Sequence, residues 1–473
     1  MQKALCVMAL SLMALSMGCA TSGDRNGLAE QTSMFEEMLA EQEKISWRNL
    51  KKNISPTEPK FPGDPPPAKG VVVAALSKKD PDYYFHWCRD SANVMRTVIE
   101  MARHQRQGFS KNQLDEMMAD FVRLSKRLQS LKSPYGLGDP RYTVTGDIDW
   151  SLWSRPQFDG PALRAHTILN YLDMNPSSNS MALKVVLKDL DFVLQVYNKP
   201  SFDIWEELRA ENYHTRLVQS AALERGADYL DRHGIYPQSA KRYKNIAQKL
   251  LKQLEHHWDP NKGYLRSQMT VEGTDGYTAK LTDLDSAVII AVVESERVSG
   301  PHSVMDHRVH ASVGILEELF AKNYPLNQEN ILGLAYGRYQ GDVYYGGNPW
   351  FLVSYYFAQF YYRLARELKS GVALPITKHN VGFFQKILKS RELRPDTVIQ
   401  KRNPVHERLL LALFERADGI MQRLQSHLDF TSGEIYEQFD KSSGLPISSK
   451  GIGWGYSTFL GAHLARLDFL STH

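Results

Sequence analysis

From residue 89 onward, apolar side chains recur at the 3.6-residue spacing of an amphipathic helix in stretch after stretch, and nowhere does a sustained strand-like alternation appear. The spacing predicts helices at roughly 89–104, 112–132, 159–174, 179–196, 213–232, 236–256, 282–298, 303–321, 348–368, 376–390, 403–427 and 454–468. Many open on a start signal, as at Asp159-Gly160-Pro161, where Asp can cap the first turn and Pro fits it. No Gly-rich turn follows a strand pattern, which argues against a nucleotide-binding α/β fold. The chain therefore reads as all-α. No repeat links successive helix pairs, so the architecture rests on the count alone. Twelve helices in one uninterrupted domain fit six hairpins closed into a ring, an (α/α)6 barrel with functional loops at one end, and two separate bundles are the rival arrangement. With 473 residues, 42% of them hydrophobic, the chain can fill such a core.

Charge excludes one class of partner. The 57 basic and 53 acidic residues leave a formal net charge of +4 without a long Lys/Arg block, so nucleic acid is not an expected ligand. The 23 Tyr and 8 Trp recur beside Asp, Arg and Gln, a pairing that suits stacking on a sugar ring, although core packing explains most aromatics in most proteins. His and Cys do not sit at metal-ligand spacings, Gly-x-Ser-x-Gly is absent, and Cys88 has no nucleophile motif around it. Carboxylates remain as the available catalytic groups, and no cofactor or metal is expected.

Residues 1–19 read as an export signal: one early Lys, an apolar run from Ala4 to Met17 too short to span a membrane, then Gly18-Cys19. A Cys in this place resembles a bacterial lipoprotein box and makes Cys19 the expected lipidation site. Ser16 stands where Leu is usual, so ordinary signal cleavage nearby is the alternative. The expectation is a periplasmic, membrane-anchored or secreted monomer that meets a membrane only through lipid. Residues 20–69 read as a polar tether (Thr21 to Gly27), a helix (Glu30 to Leu50) and an extended arm with six prolines between Ser55 and Lys69. Residues 70–473 form the main domain.

Five loop stretches carry chemistry. Phe202-Asp203-Ile204-Trp205-Glu206-Glu207 sets two carboxylates after a tryptophan, at the expected entrance to a long helix. A carboxyl against an apolar ring holds its proton more tightly, as a general acid requires, whereas paired Glu at a helix start can equally be solvated dipole partners. Tyr83 through Trp87-Cys88-Arg89-Asp90 places a charged pair behind aromatics; Arg and Asp can chelate vicinal hydroxyls while a ring covers the sugar, or Asp90 can cap a helix with Arg89 paired to it. The stretch from Trp153 to Pro161 repeats that chemistry, and Arg338 through Trp350 is another glycine-opened loop. Glu437, between Tyr436 and Phe439, is a better candidate for a working carboxylate than Glu434.

Together these stretches resemble the glucoamylases, the exo-acting α-glucosidases of glycoside hydrolase family fifteen. The resemblance rests on Trp-x-Arg-Asp at 87–90, Gly-Leu-Gly-Asp-Pro at 136–140, Arg-Pro-Gln-x-Asp-Gly-Pro-Ala-Leu-Arg at 155–164, Phe-Asp-Ile-Trp-Glu-Glu at 202–207, Gly-Arg-Tyr at 337–339, Gly-Asn-Pro-Trp-Phe-Leu at 347–352, Glu-Gln-Phe-Asp-Lys at 437–441 and Trp454. It implies an (α/α) barrel and an inverting enzyme that releases glucose from the non-reducing ends of α-1,4-glucans. Glu206 matches the family's general acid, Glu437 its general base, and Glu207 a contact to the leaving sugar. Arg89 and Asp90 match residues that hold the terminal glucose, with Tyr83, Trp87, Trp153, Trp205, Arg338, Trp350 and Trp454 as further substrate contacts or pocket walls. Where the family often carries a substrate-binding Arg ahead of the helix at 282–298, only Lys280 stands nearby, so leaving-sugar contacts are expected to differ. The chain stops just past the last predicted helix, so no starch-binding module is expected and soluble oligosaccharides fit better than granules. Trehalose-type or dextran-type specificity and a non-hydrolytic periplasmic sugar-binding protein are the competing readings.

Overall fold

A computed structural model describes residues 24–56, 60–176, 180–276, 280–328, 332–429 and 431–472. Among them lie thirteen α-helices: α1 (Asp24–Asn53), α2 (Cys88–Arg103), α3 (Lys111–Leu128), α4 (Asp159–Met174), α5 (Ser180–Val196), α6 (Tyr213–Arg232), α7 (Pro237–Leu254), α8 (Ala287–Glu294), α9 (His307–Asn323), α10 (Phe351–Ser370), α11 (Val381–Leu388), α12 (His406–Ser426) and α13 (Gly453–Ser471). Six of them pack side by side in a closed ring, in the order α2, α4, α6, α8, α10, α13 and back to α2. These inner helices are buried on nearly every face; α8 is buried from end to end and α4 from Asp159 to Leu172. The outer helices show the opposite patterning. In α3, Leu114, Met118, Phe121 and Leu128 face inward while the charged side chains face solvent, the one-sided stripe that lets a helix cover a ring from outside.

Each inner helix pairs with an outer one: α2 with α3, α4 with α5, α6 with α7, α8 with α9, α10 with α12, and α13 with α1. The architecture is the (α/α)6 toroid that the helix count suggested, but membership of the twelve differs. The 376–390 pattern is the short α11, wedged beside α9 and α12, and the sixth outer position belongs to the amino-terminal α1. Phe35, Leu39, Trp47 and Leu50 of α1 join the main core, and Arg466 of α13 ties Glu36 and Asp418 together. A stretch expected to stand ahead of the domain thus closes its last hairpin. The helix already covers Asp24 to Gly27, where a tether was expected. Cys19 and the whole 1–19 stretch lie outside the described residues. Among the described residues no helix is long and apolar enough to cross a membrane.

The proline-rich arm lies on the domain: Phe61 meets Tyr84 edge to face at 5.3 Å, and the Ala68 N–H donates to Val144 O at 2.8 Å. Short strands occur in the loops, where none was expected. Ser201–Phe202, Leu208–Asn212 and Gln268–Thr274 form an antiparallel three-stranded sheet, and Tyr436–Phe439 pairs with Pro446–Lys450. Strands of two to seven residues are too short for a period-2 pattern to rise above the surrounding loop sequence.

Candidate active site

The segments that precede the inner helices meet at one end of the ring. They enclose a cavity of about 1250 Å³. Inner helices that begin at this end turn their unpaired N–H groups and positive dipole ends toward it, an environment that favours carboxylates. All twelve cavity residues expected from the sequence line it: Tyr83, Trp87, Arg89, Asp90, Trp153, Trp205, Glu206, Glu207, Arg338, Trp350, Glu437 and Trp454.

Glu206 does not stand at a helix entrance. It sits in the tight turn between strands Ser201–Phe202 and Leu208–Asn212, at φ +68°, and α6 starts only at Tyr213. Asp203 forms the turn: its Oδ1 accepts the N–H groups of Glu207 at 2.8 Å and Leu208 at 3.2 Å. Four donors converge on the Glu206 carboxylate. Oε1 accepts Trp87 Nε1 at 2.9 Å, Gln157 Nε2 at 2.8 Å and Arg89 Nη2 at 3.4 Å, and Oε2 accepts Trp153 Nε1 at 2.7 Å. The expected pairing of Trp205 with Glu206 is not what forms. The Trp205 indole N–H donates to both oxygens of Asp285 at 3.0 Å and its ring tilts against Trp350 at 5.8 Å, because the turn carries consecutive side chains in different directions.

The adjacent Glu207 joins a separate group. Its Oε1 is 2.9 Å from Arg338 Nη2 and its Oε2 accepts Tyr339 OH at 2.6 Å. Burial pushes this carboxyl up to about 7, against the opposing pull of Arg338. Burial likewise raises Asp90 to about 7, with Arg89 Nε 3.8 Å away pulling the other way. Asp90 is not the cap residue of α2; Trp87 holds that position, and its side chain makes no cap bond. Arg89 reaches across to Gln157 at 2.9 Å and Asp159 at 3.0 Å, with its guanidinium 5.6 Å from the Trp454 ring. Nor does Asp159 stand ahead of α4 as a cap. It is the first helical residue, one oxygen on the Gly160 N–H and the other on Arg89.

Glu437 projects from the Tyr436–Phe439 strand and is fully enclosed. Tyr83 OH donates to Oε1 at 3.1 Å; Oε2 takes Gln438 Nε2 at 3.3 Å and a short bond from Ser448 Oγ. Burial raises its pKa, while the Ser448 and Tyr83 hydroxyls pull it down. Tyr344 OH lies 2.7 Å from Tyr83 OH and extends this hydroxyl chain. The ring of Tyr83, bonded to Glu437, and that of Trp87, bonded to Glu206, lie 5.6 Å apart edge to face.

Lys280 is not a cavity wall. Its ammonium is buried behind the Glu206 turn, 3.6 Å from Asp203 and in a short contact with Asp285, and 4.6 Å from the Tyr339 ring. The cation thus neutralises the carboxylates that support the turn.

The sequence is matched over residues 45–464 by the model of glycosyl hydrolases family 15. The chain belongs to this family. Chains similar to it include Glucoamylase-1 of Schizophyllum commune, 29% identical over 455 residues that span 92% of this chain and 75% of the relative. The glucoamylase of Saccharomycopsis fibuligera has a similar solved structure, with a TM-score of 0.83 at 26% identity over 93% of this chain and 96% of that one. The family 15 glucoamylase of Hypocrea jecorina follows with 0.81 at 26% identity, over 92% and 72%. Family membership makes the protein a glycoside hydrolase.

Several residues of the family 15 cavity went unremarked in the sequence. Gln157 stands in the Arg-Pro-Gln motif at 155–164 and Tyr344 in the Arg338–Trp350 loop, and neither residue type signals a role there by itself. Ser448 had no signal, because it reaches Glu437 only through the pairing of two short strands. Arg141 stacks 3.6 Å from the Trp153 ring and 4.9 Å from Trp87, backing both indoles that hold Glu206.

Proposed function

We propose that this chain is an inverting, exo-acting α-glucosidase that releases β-D-glucose from the non-reducing ends of α-1,4-glucans and malto-oligosaccharides. Glu206 is the general acid and Glu437 the general base that activates water. The observation that carries this reading is the presence of two carboxylates on one cavity, from loops ahead of different inner helices and with unrelated donor sets. Inversion needs a water between the general base and the sugar, hence carboxyls roughly 6.5–9.5 Å apart. Adjacent Glu206 and Glu207 cannot easily straddle one bond, and Glu207 is committed to Arg338 and Tyr339. Arg89 and Asp90 suit the vicinal hydroxyls of the terminal glucose, with Trp454 behind them. Glu207, Trp350 and Arg338 suit the leaving sugar.

Export with a lipid on Cys19 is supported by the apolar run ending in Gly18-Cys19. Mass spectrometry of membrane-extracted protein tests it: a diacylated Cys19 is expected, and an unmodified terminus at Thr21 or beyond contradicts it.

Hydrolysis of a panel of α-glucosides tests the enzymatic reading. Release of glucose from maltose and maltotriose is expected. A preference for trehalose or dextran would move the specificity, and binding without turnover would replace the enzyme by a sugar-binding protein.

A further inference from the structure

Large apolar side chains stand in solvent beside the cavity mouth. Trp150 is 73% exposed and Leu152 is 89% exposed, and Val343 and Tyr345 are 72% and 41% exposed. Leu152, Val343 and Tyr345 line the cavity; Trp150 lies just outside it, two residues from Leu152. Isolated exposed apolar residues need no explanation, but here they gather at one opening.

The loop that carries Trp150 is held rigidly. Arg141 Nε donates to Asp149 Oδ2 at 2.6 Å and its Nη2 to Ser151 Oγ at 2.9 Å. Arg155 donates to Ser151 O at 2.8 Å and to Asp139 Oδ1 at 3.0 Å. A ring kept in water on a fixed loop loses little conformational freedom when something stacks on it. We infer that Trp150 is a platform outside the cavity on which the distal glucose units of a long α-glucan stack, so that the enzyme selects for chain length. Continuity with the cavity through Ser151 and Leu152 selects this occupant, and the inference rests on the α-glucan reading above.

The test compares maltoheptaose with maltose. An aromatic stacking contact is worth about 0.5–1.5 kcal/mol, so Trp150→Ala should lower the maltoheptaose-to-maltose ratio of kcat/KM by about 2–12-fold, and Trp150→Phe should restore most of it. Titration of the Glu206→Gln protein with both sugars, with and without Trp150→Ala, reads the same preference without turnover. A ratio unchanged by Trp150→Ala in protein that binds both sugars overturns the platform alone. So does a change in oligomeric state on removing the ring, which would make Trp150 a contact between copies. If neither sugar binds wild-type protein, the α-glucan reading fails and takes the platform with it.

Discussion

Trp87 Nε1 donates to Glu206 Oε1 at 2.9 Å across 119 positions of sequence. Trp153 does the same for the other oxygen at 2.7 Å, so two indoles from loops ahead of two neighbouring inner helices fix one carboxyl in space. The geometry of this carboxyl is thereby set by the ring of helices, and the strained backbone of its own turn only delivers it.

Trp153→Phe should therefore keep the cavity wall and lose one donor to a carboxyl that, in the proposed role, gains charge as it gives up its proton. A hydrogen bond of this kind is worth about 1.5–3 kcal/mol, so kcat on maltose should fall by about 10–150-fold while the protein stays folded. Trp205→Phe, which loses the bond to Asp285 and part of the ring packed against Trp350 but no bond to Glu206, should cost stability more than rate. Steady-state kinetics beside a urea unfolding curve separate the two, and equal effects on kcat would contradict the assignment of the indoles.

Glu437 gives the pH dependence. Its pKa is raised by burial and held back by Ser448 and Tyr83. A general base, the role proposed for Glu437, must be ionised, so the acidic limb of the kcat/KM profile should report its ionisation in the free enzyme. Ser448→Ala removes one of the bonds that favour the charged form, raises the pKa further and should move that limb to higher pH. Tyr83→Phe should move it the same way. A limb that stays in place or moves to lower pH means that the hydroxyls do not govern this group.

Lys280 supports the Glu206 turn from behind. Lys280→Met would leave Asp203 and Asp285 buried without their cation, a change that typically costs about 3–5 kcal/mol. Chemical denaturation should show that loss, with a fall in kcat as the turn loosens, and Lys280→Arg should recover part of both. A methionine variant as stable as wild type would show that the ammonium is dispensable.

How much of this was legible beforehand depended on the length of the signal. Twelve helical stretches announced themselves because each repeats its spacing over three or more turns, and the expected cavity residues sit in Trp-, Arg- or Asp-bearing segments that precede or open five of those stretches. Membership of the ring was not legible. A helix pattern says which face is apolar and nothing about its partner, so α1 and the short α11 exchanged places. The turn that carries Glu206 was read as a helix start because Trp-Glu-Glu has no strand alternation and its strands have two and five residues. The pairing of Trp205 with Glu206 followed from adjacency in sequence, which a tight turn defeats. Lys280 stood where an Arg was sought, and only the fold reveals that it faces the buried side of the turn.

Glu206 and Glu437 should differ with substrate. General acid or base assistance is worth about 10²–10⁴-fold, so Glu206→Gln and Glu437→Gln should each lower kcat on maltose by that order with a smaller effect on KM. On α-glucosyl fluoride, whose leaving group needs little protonation, the Glu206 variant should recover much of its rate and the Glu437 variant should not. Recovery by both, or by neither, would require other roles for the pair.

The stereochemistry of the first product tests the central claim most directly. NMR of the anomeric protons during the first minutes of maltotriose hydrolysis, before mutarotation, should show β-glucose released from the non-reducing end, as attack by water opposite Glu206 requires. α-Glucose as the first product would mean retention, and Glu437 could not then be a general base acting through water.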